Sequence, residues 1–208
     1  MRHSLTTQGY GVRLRPVRLD DASFIVWLRN LDSIKGRVGD SASDESSQEQ
    51  WLNSYFERKG DYYFIVETLH EIPLGTESIY DLQNTCGEFG RIVIRPGVKA
   101  GSIASLLLFD LFYEHIGLTE LRATCVASNN AAHSFLRKLG FNQTKVEHAG
   151  RVIGGEAVDM LHFAQAAEDW LSAREKLIPS ACRAESANRQ WEETFRQCCG
   201  SQVLDVGT

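Results

Sequence analysis

Valines, leucines and arginines alternate through Val12, Leu14 and Pro16, a period of two that predicts a strand over residues 10–17. Asp20 or Asp21 then supplies an N-cap for a helix carrying Phe24, Trp27 and Leu28 at three- and four-residue spacing. Residues 32–48 lose the periodicity and read as a polar segment able to fold over a ligand or to serve as a solvated linker. A second helix is predicted over 48–58, its stripe being Trp51, Leu52, Tyr55 and Phe56, and Gly60-Asp61 stops it. Helical spacing favours the core for Trp27, Trp51 and Tyr55 over the alternative of an aromatic platform for a ligand. Strands over 62–68 and 74–82 then flank a turn at 70–73, which predicts a hairpin.

The stretch 88–141 carries the most information. A strand over 88–96 is followed by the turn Gly97-Val-Lys-Ala-Gly-Ser102, an apolar helix over 103–115, a strand over 121–126 and a helix after Asn129. Strict alternation sets Gly90, Ile92 and Ile94 on one face of the first strand, with Phe89, Arg91, Val93 and Arg95 on the other. Arg91 then either pairs with a buried carboxylate or lines a cleft. The helix has only Asp110 and Glu114 as charges, so it should be buried on most sides. A strand that enters a helix through a glycine-containing turn aims unpaired N–H groups and a positive dipole end at one point, a cradle for a diphosphate. Strands over 143–148 and 157–163 flank Gly154-Gly155 and finish the sheet; two tail helices, one stopped near Pro179 and one over 180–199, follow.

Composition narrows the function. The 208 residues are 43% hydrophobic and 24% charged, enough for one ordinary core. A net charge of −5 argues against a nucleic-acid surface, so any polyanion must be met locally. A polar start and the lack of a long apolar run predict a cytoplasmic protein with no membrane partner. Five cysteines without paired spacing read as reduced thiols, and no metal is expected.

The turn Lys99-Ala100-Gly101-Ser102-Ile103-Ala104, its flanking elements, Asn129 and the ending Lys138-Leu139-Gly140-Phe141 resemble the acyl-CoA site of the GNAT acyltransferase superfamily. The resemblance implies an α+β sandwich with a mixed, mostly antiparallel sheet, splayed between its fourth and fifth strands, and helices on both faces. It spans most of Val12 to Phe163 and divides the chain into an acyltransferase domain, 1–163, and a helical extension, 164–208. It also implies N-acyl transfer from acetyl-CoA or another acyl-CoA by direct attack in a ternary complex, with Ile92, Val93, Ile94, Lys99, Ala100, Gly101, Ser102, Ile103, Ala104 and Asn129 holding the coenzyme.

Glu88 stands where family members often place a base, whereas Leu136 replaces the usual tyrosine acid. Tyr80, Cys125 or a water is left to protonate the thiolate, and His133 on the same helix is expected to be exposed. A looser similarity, to enzymes that acylate nucleotide-activated amino sugars in surface-glycan pathways, implies a UDP- or dTDP-linked acceptor met by Arg29, Asn30, Lys35, Arg37 and Tyr80. A protein N-terminal acetyltransferase of the ribosomal-protein type and a catalytically silent CoA-binding module are the alternatives. The aromatic tail, with Trp191 and Phe195, is expected to dock on the domain or on a second copy in a homodimer.

Overall fold

The computed structural model describes residues 2–35 and 42–200, the side chains of 199 and 200 excepted. Arg37 lies outside the described residues. Among the described residues, one sheet of eight strands has the order β1-β2-β3-β4-β5-β6-β8-β7. In chain order the strands are β1 (Thr7–Gly9), β2 (Val12–Pro16), β3 (Tyr62–Thr68), β4 (Pro73–Gln83), β5 (Cys86–Ile94), β6 (Glu120–Val126), β7 (Asn142–Ile153) and β8 (Glu156–Ala166). The helices are α1 (Ala22–Arg29), α2 (Glu45–Phe56), α3 (Gly101–Asp110), α4 (Asn130–Lys138) and α5 (Ala167–Gly200).

Every neighbouring pair of strands is antiparallel except β5 and β6. That parallel pair is short, joining Cys86, Gly87 and Glu88 to Glu120, Leu121 and Arg122. Beyond it β5 and β6 have no ladder between them, so a V-shaped gap opens in the middle of the sheet. This is the splay expected between the fourth and fifth strands, shifted one place in number by the short β1.

That first strand was not anticipated. Tyr10 and Gly11 both take positive φ, 51° and 73°, and Gly9 pairs with Val12, so a tight two-residue turn folds 7–9 back onto β2. Gly9 packs so closely that a Cβ there would lie 2.9 Å from Leu107 Cδ2. Helix α2 also begins earlier than its apolar stripe, because the Asp44 side chain accepts the Ser47 N–H and caps it.

Strict alternation fails in β5. Ser78 pairs with Gly90 and Thr76 with Val93, so Glu77 faces two residues, Arg91 and Ile92, and Arg91 has φ 53°. This bulge turns Ile92 and Ile94 to the same side as Phe89, where all three pack in the main core, and sends Arg91 to the opposite face. The hydroxyls of Thr76 and Ser78 donate to the Arg91 and Gly90 carbonyls at 3.0 Å, holding the irregular backbone.

The two faces are covered differently. Helices α3, α4 and α5 lie over the main core, in which Phe109 of α3 meets Phe89, Phe141 and Trp170 edge-on. Residues 103–109 of α3 are all buried. Helices α1 and α2 cover the other face through a smaller cluster that includes Ile25, Leu52, Tyr55, Tyr63 and Ile65.

Pro179 does not end the tail helix, which runs unbroken as α5 from the end of β8 at Ala166. Proline inside a helix costs about 3 kcal/mol. Burying Trp170 and Leu177 recovers roughly 1.5–3 kcal/mol each, and Ala181 is buried as well. The Trp170 Nε1–H and Arg174 Nε–H both donate to Asp110 at the end of α3, at 2.9 and 2.8 Å.

Candidate active site

On the core side, β5 leads through a turn at Gly97, φ 90°, into α3. The N-cap residue is Ala100, which has no side-chain oxygen to offer. The first intrahelical bond runs from the Ala104 N–H to the Ala100 carbonyl, so the amides of Gly101, Ser102 and Ile103 precede the helical ladder at its positive end. Beside them lies a cavity of about 560 Å³. Ile92 and Ile94 form its β5 wall, Gly101 and Ser102 its helix-start wall, and Phe135 and Lys138 of α4 close one side. The remaining wall is α5. The Lys138 ammonium donates to Ser102 Oγ at 2.9 Å and to Ser180 Oγ at 3.4 Å, and the Lys99 N–H donates to Asn188 Oδ1 at 2.7 Å.

On the opposite face, Glu88 occupies the last paired position of β5 before the gap. Its carboxylate accepts the Thr124 hydroxyl of β6 at 3.3 Å. Burial pushes the Glu88 carboxyl above the ordinary carboxylate range, and the Thr124 bond opposes that only in part. Tyr80 is its partner across β4–β5, and burial pushes the phenol up to about 12. Both guanidinium branches of Arg91 donate to Asp61, one at 2.9 Å, and the same group lies over the Tyr80 ring at 4.4 Å. His162, opposite Thr124 on β8, holds Glu147 at 2.7 Å.

The residues singled out from sequence fall into separate groups. Ile92, Ile94, Lys99, Gly101 and Ser102 meet around the cavity. Val93 is buried against Thr76, and Ala100, Ile103 and Ala104 are part of the main core. Asn129 caps α4, its side chain accepting the Ala132 N–H at 3.1 Å. Glu88 and Tyr80 lie together. Arg29 is half-buried at the end of α1, Lys35 is exposed, and the Asn30 side chain donates to the Val26 and Ala42 carbonyls.

Several expectations change. Trp27 is 45% exposed rather than core, Trp51 is half-buried and stacked on Tyr55, and only Tyr55 is fully buried. His133 is half-buried, with Nε2 enclosed and its ring against Phe163, instead of standing in solvent. Cys125 belongs to the core and burial raises its thiol, while Leu136 is 4% exposed among core residues. Sequence reasoning missed Thr124, whose meeting with Glu88 depends on the β5–β6 register, and the α5 residues at the cavity, for which no local pattern exists.

Comparison with known proteins agrees with this architecture. Residues 12–142, more than half of the chain, match the family model described as an acetyltransferase (GNAT) domain. Among curated proteins none matches significantly in sequence. A GCN5-related N-acetyltransferase from Brucella melitensis superposes with a TM-score of 0.76 at 16% identity, covering 86% of each chain. A mutant form of the spermidine N-acetyltransferase SpeG from Vibrio cholerae gives 0.68 at 17% identity, covering 78% of this chain and 98% of that one. A probable GNAT-family acetyltransferase from Chromobacterium violaceum ATCC 12472 gives 0.69 at 19%, covering 78% and 91%. At such identities the superpositions establish the fold alone, whereas the family model, read with the splayed sheet and the uncapped start of α3, establishes that this chain belongs to the GNAT acetyltransferase family.

Proposed function

We propose that the protein transfers an acetyl or longer acyl group from acyl-CoA to the amine of a nucleotide-linked amino sugar, with Glu88 as the base. GNAT acetyltransferases use acetyl-CoA as co-substrate. The observation that supports this chemistry is the half-buried Glu88 carboxyl at the last paired position before the gap, held by Thr124 and raised above its ordinary value by burial.

The amides of Gly101, Ser102 and Ile103 hold the diphosphate, with Lys99 and Lys138 alongside. Ile92 and Ile94 pack the pantetheine arm, and the unpaired β5 edge beyond Glu88 offers it backbone hydrogen bonds. In that arrangement the thioester reaches the gap from the core side while the amine comes from the α1–α2 side. The amine nitrogen attacks the thioester carbon, its proton passes to Glu88 directly or through water, and the C–S bond breaks. The departing sulfur takes a proton from solvent or from Tyr80; the high phenol pKa keeps Tyr80 protonated.

An anionic acceptor suits the α1 end of the cleft. Arg29 and Lys35 lie there, and Trp27 stands exposed with the Arg95 guanidinium over its ring at 5.1 Å. A sugar amine is less basic than lysine, so one carboxylate suffices to deprotonate it.

The test is a panel assay with acetyl-CoA, following thiol release with UDP- and dTDP-linked amino sugars, short peptides and spermidine. Turnover is expected on a nucleotide sugar. Turnover confined to peptides would favour the N-terminal acetyltransferase reading, turnover confined to spermidine a polyamine enzyme, and CoA uptake without turnover on any amine a silent module.

A further inference from the structure

Helix α5 lies wholly beyond the family-matched residues, which end at 142, yet it forms one wall of the cavity beside the α3 amides. Its contribution is a single helical stripe, Ser180, Arg183, Ala184 and Ala187, at the i, i+3, i+4, i+7 spacing of one face. The two alanines leave room for a ligand, and Arg183 and Ser180 are polar.

The position of this stripe is set independently at both ends. Trp170 and Arg174 are bonded to Asp110 at one end of α3, and the buried Asn188 accepts the Lys99 N–H at the other. Lys138 bridges the two walls by donating to both Ser102 and Ser180. The cavity therefore gathers Lys99, Lys138 and Arg183 with no carboxylate lining it among the described residues, in a chain of net charge −5. Three cations facing a helix start without an acid make a local trap for polyanions.

We propose that α5 completes the coenzyme site and that Arg183 is a phosphate ligand of CoA, supplied by the tail helix opposite the α3 amides. This rests on the acyl-CoA reading above. The family core supplies backbone N–H groups to the diphosphate, and α5 adds the planar guanidinium that can grip phosphate oxygens in pairs.

Calorimetry on the full chain tests it, with CoA, dephospho-CoA and pantetheine as ligands. Arg183→Ala should weaken CoA binding about tenfold, the scale of one lost charged hydrogen bond, and Arg183→Glu should weaken it further. Pantetheine, which lacks the nucleotide phosphates, should bind wild type and both variants alike. A loss that persists with dephospho-CoA puts Arg183 on the diphosphate, and a loss that vanishes puts it on the 3′-phosphate. In turnover assays the KM for acyl-CoA should rise while kcat and the KM for the amine stay unchanged. Wild-type CoA uptake matched by both variants, or a loss shared equally by pantetheine, would overturn the role of Arg183 and leave the acyl-CoA reading standing. Absence of CoA uptake by the wild type would overturn both.

Discussion

The two faces of the sheet solve the problem of buried charge in opposite ways. On the α1–α2 face the buried carboxylates Asp21, Glu67 and Asp61 are all paired with arginines: Arg15 bonds Asp21 and Glu67, Arg13 bonds Glu67, and Arg91 bonds Asp61. On the α3–α5 face the buried carboxylate is Glu77, whose Oε2 accepts the Ser105 hydroxyl at 3.1 Å. Burial drives it up to about 8, whereas the carboxylates of the other face each have a guanidinium beside them. The α3–α5 face is thus an apolar block that presents the backbone dipoles of α3, and the α1–α2 face is an ion-paired surface; in the proposed function the first is the cofactor side and the second the acceptor side.

The largest expected effect comes from the acceptor side. Glu88→Gln should lower kcat by about 10²- to 10⁴-fold while calorimetry finds CoA affinity unchanged. The same variant should lose the acidic limb of the pH–rate profile. With Glu88 as base, that limb should rise in wild type as Glu88 deprotonates, displaced upward from an ordinary carboxylate by burial. Equal turnover by the variant would remove Glu88 as base.

Next, Asp61→Ala should destabilise the fold by about 2–4 kcal/mol in denaturant titration, because Arg91 is left half-buried against Trp51, Tyr63 and Tyr80 without its carboxylate. A loss below about 1 kcal/mol would mean that the pair behaves as a surface contact.

On the cofactor side, Ser102→Trp should weaken CoA binding by about tenfold or more by filling the approach to the α3 amides. The melting temperature should barely move, since Ser102 is only half-buried.

A pH-dependent effect separates the two faces. Glu77 has a raised carboxyl in the folded chain, about 8 against 4.5, so its contribution to stability is complete below 4.5 and is lost as pH rises to about 8. Glu77→Gln should flatten this decline and melt several degrees above wild type on the alkaline side. Parallel melting curves across that range would show that Glu77 stays ionised in the fold.

The cofactor side was also the more legible of the two in sequence. An apolar run such as 103–109 has one way to be satisfied, by burial, and it fixes the elements around it. The polar face depends on geometry that periodicity does not carry. A bulge at Arg91 reverses the side of every residue after it, and the two-residue turn at Tyr10-Gly11 hides a strand behind a single glycine. The meeting of Asp61 with Arg91, or of Glu88 with Thr124, is set by strand register rather than by spacing. Pro179 misled in the other direction, because a local breaker was outweighed by the burial of Trp170 and Leu177.

Arg95, just past the end of β5, sits with its guanidinium 5.1 Å from the Trp27 ring, 4.8 Å from Trp191 and 4.9 Å from Phe195. One side chain therefore staples an early helix to the last one around the rim of the molecule, and two of the four tryptophans share its charge. Intrinsic fluorescence should consequently respond to any movement that draws Arg95 away from α1 or from α5.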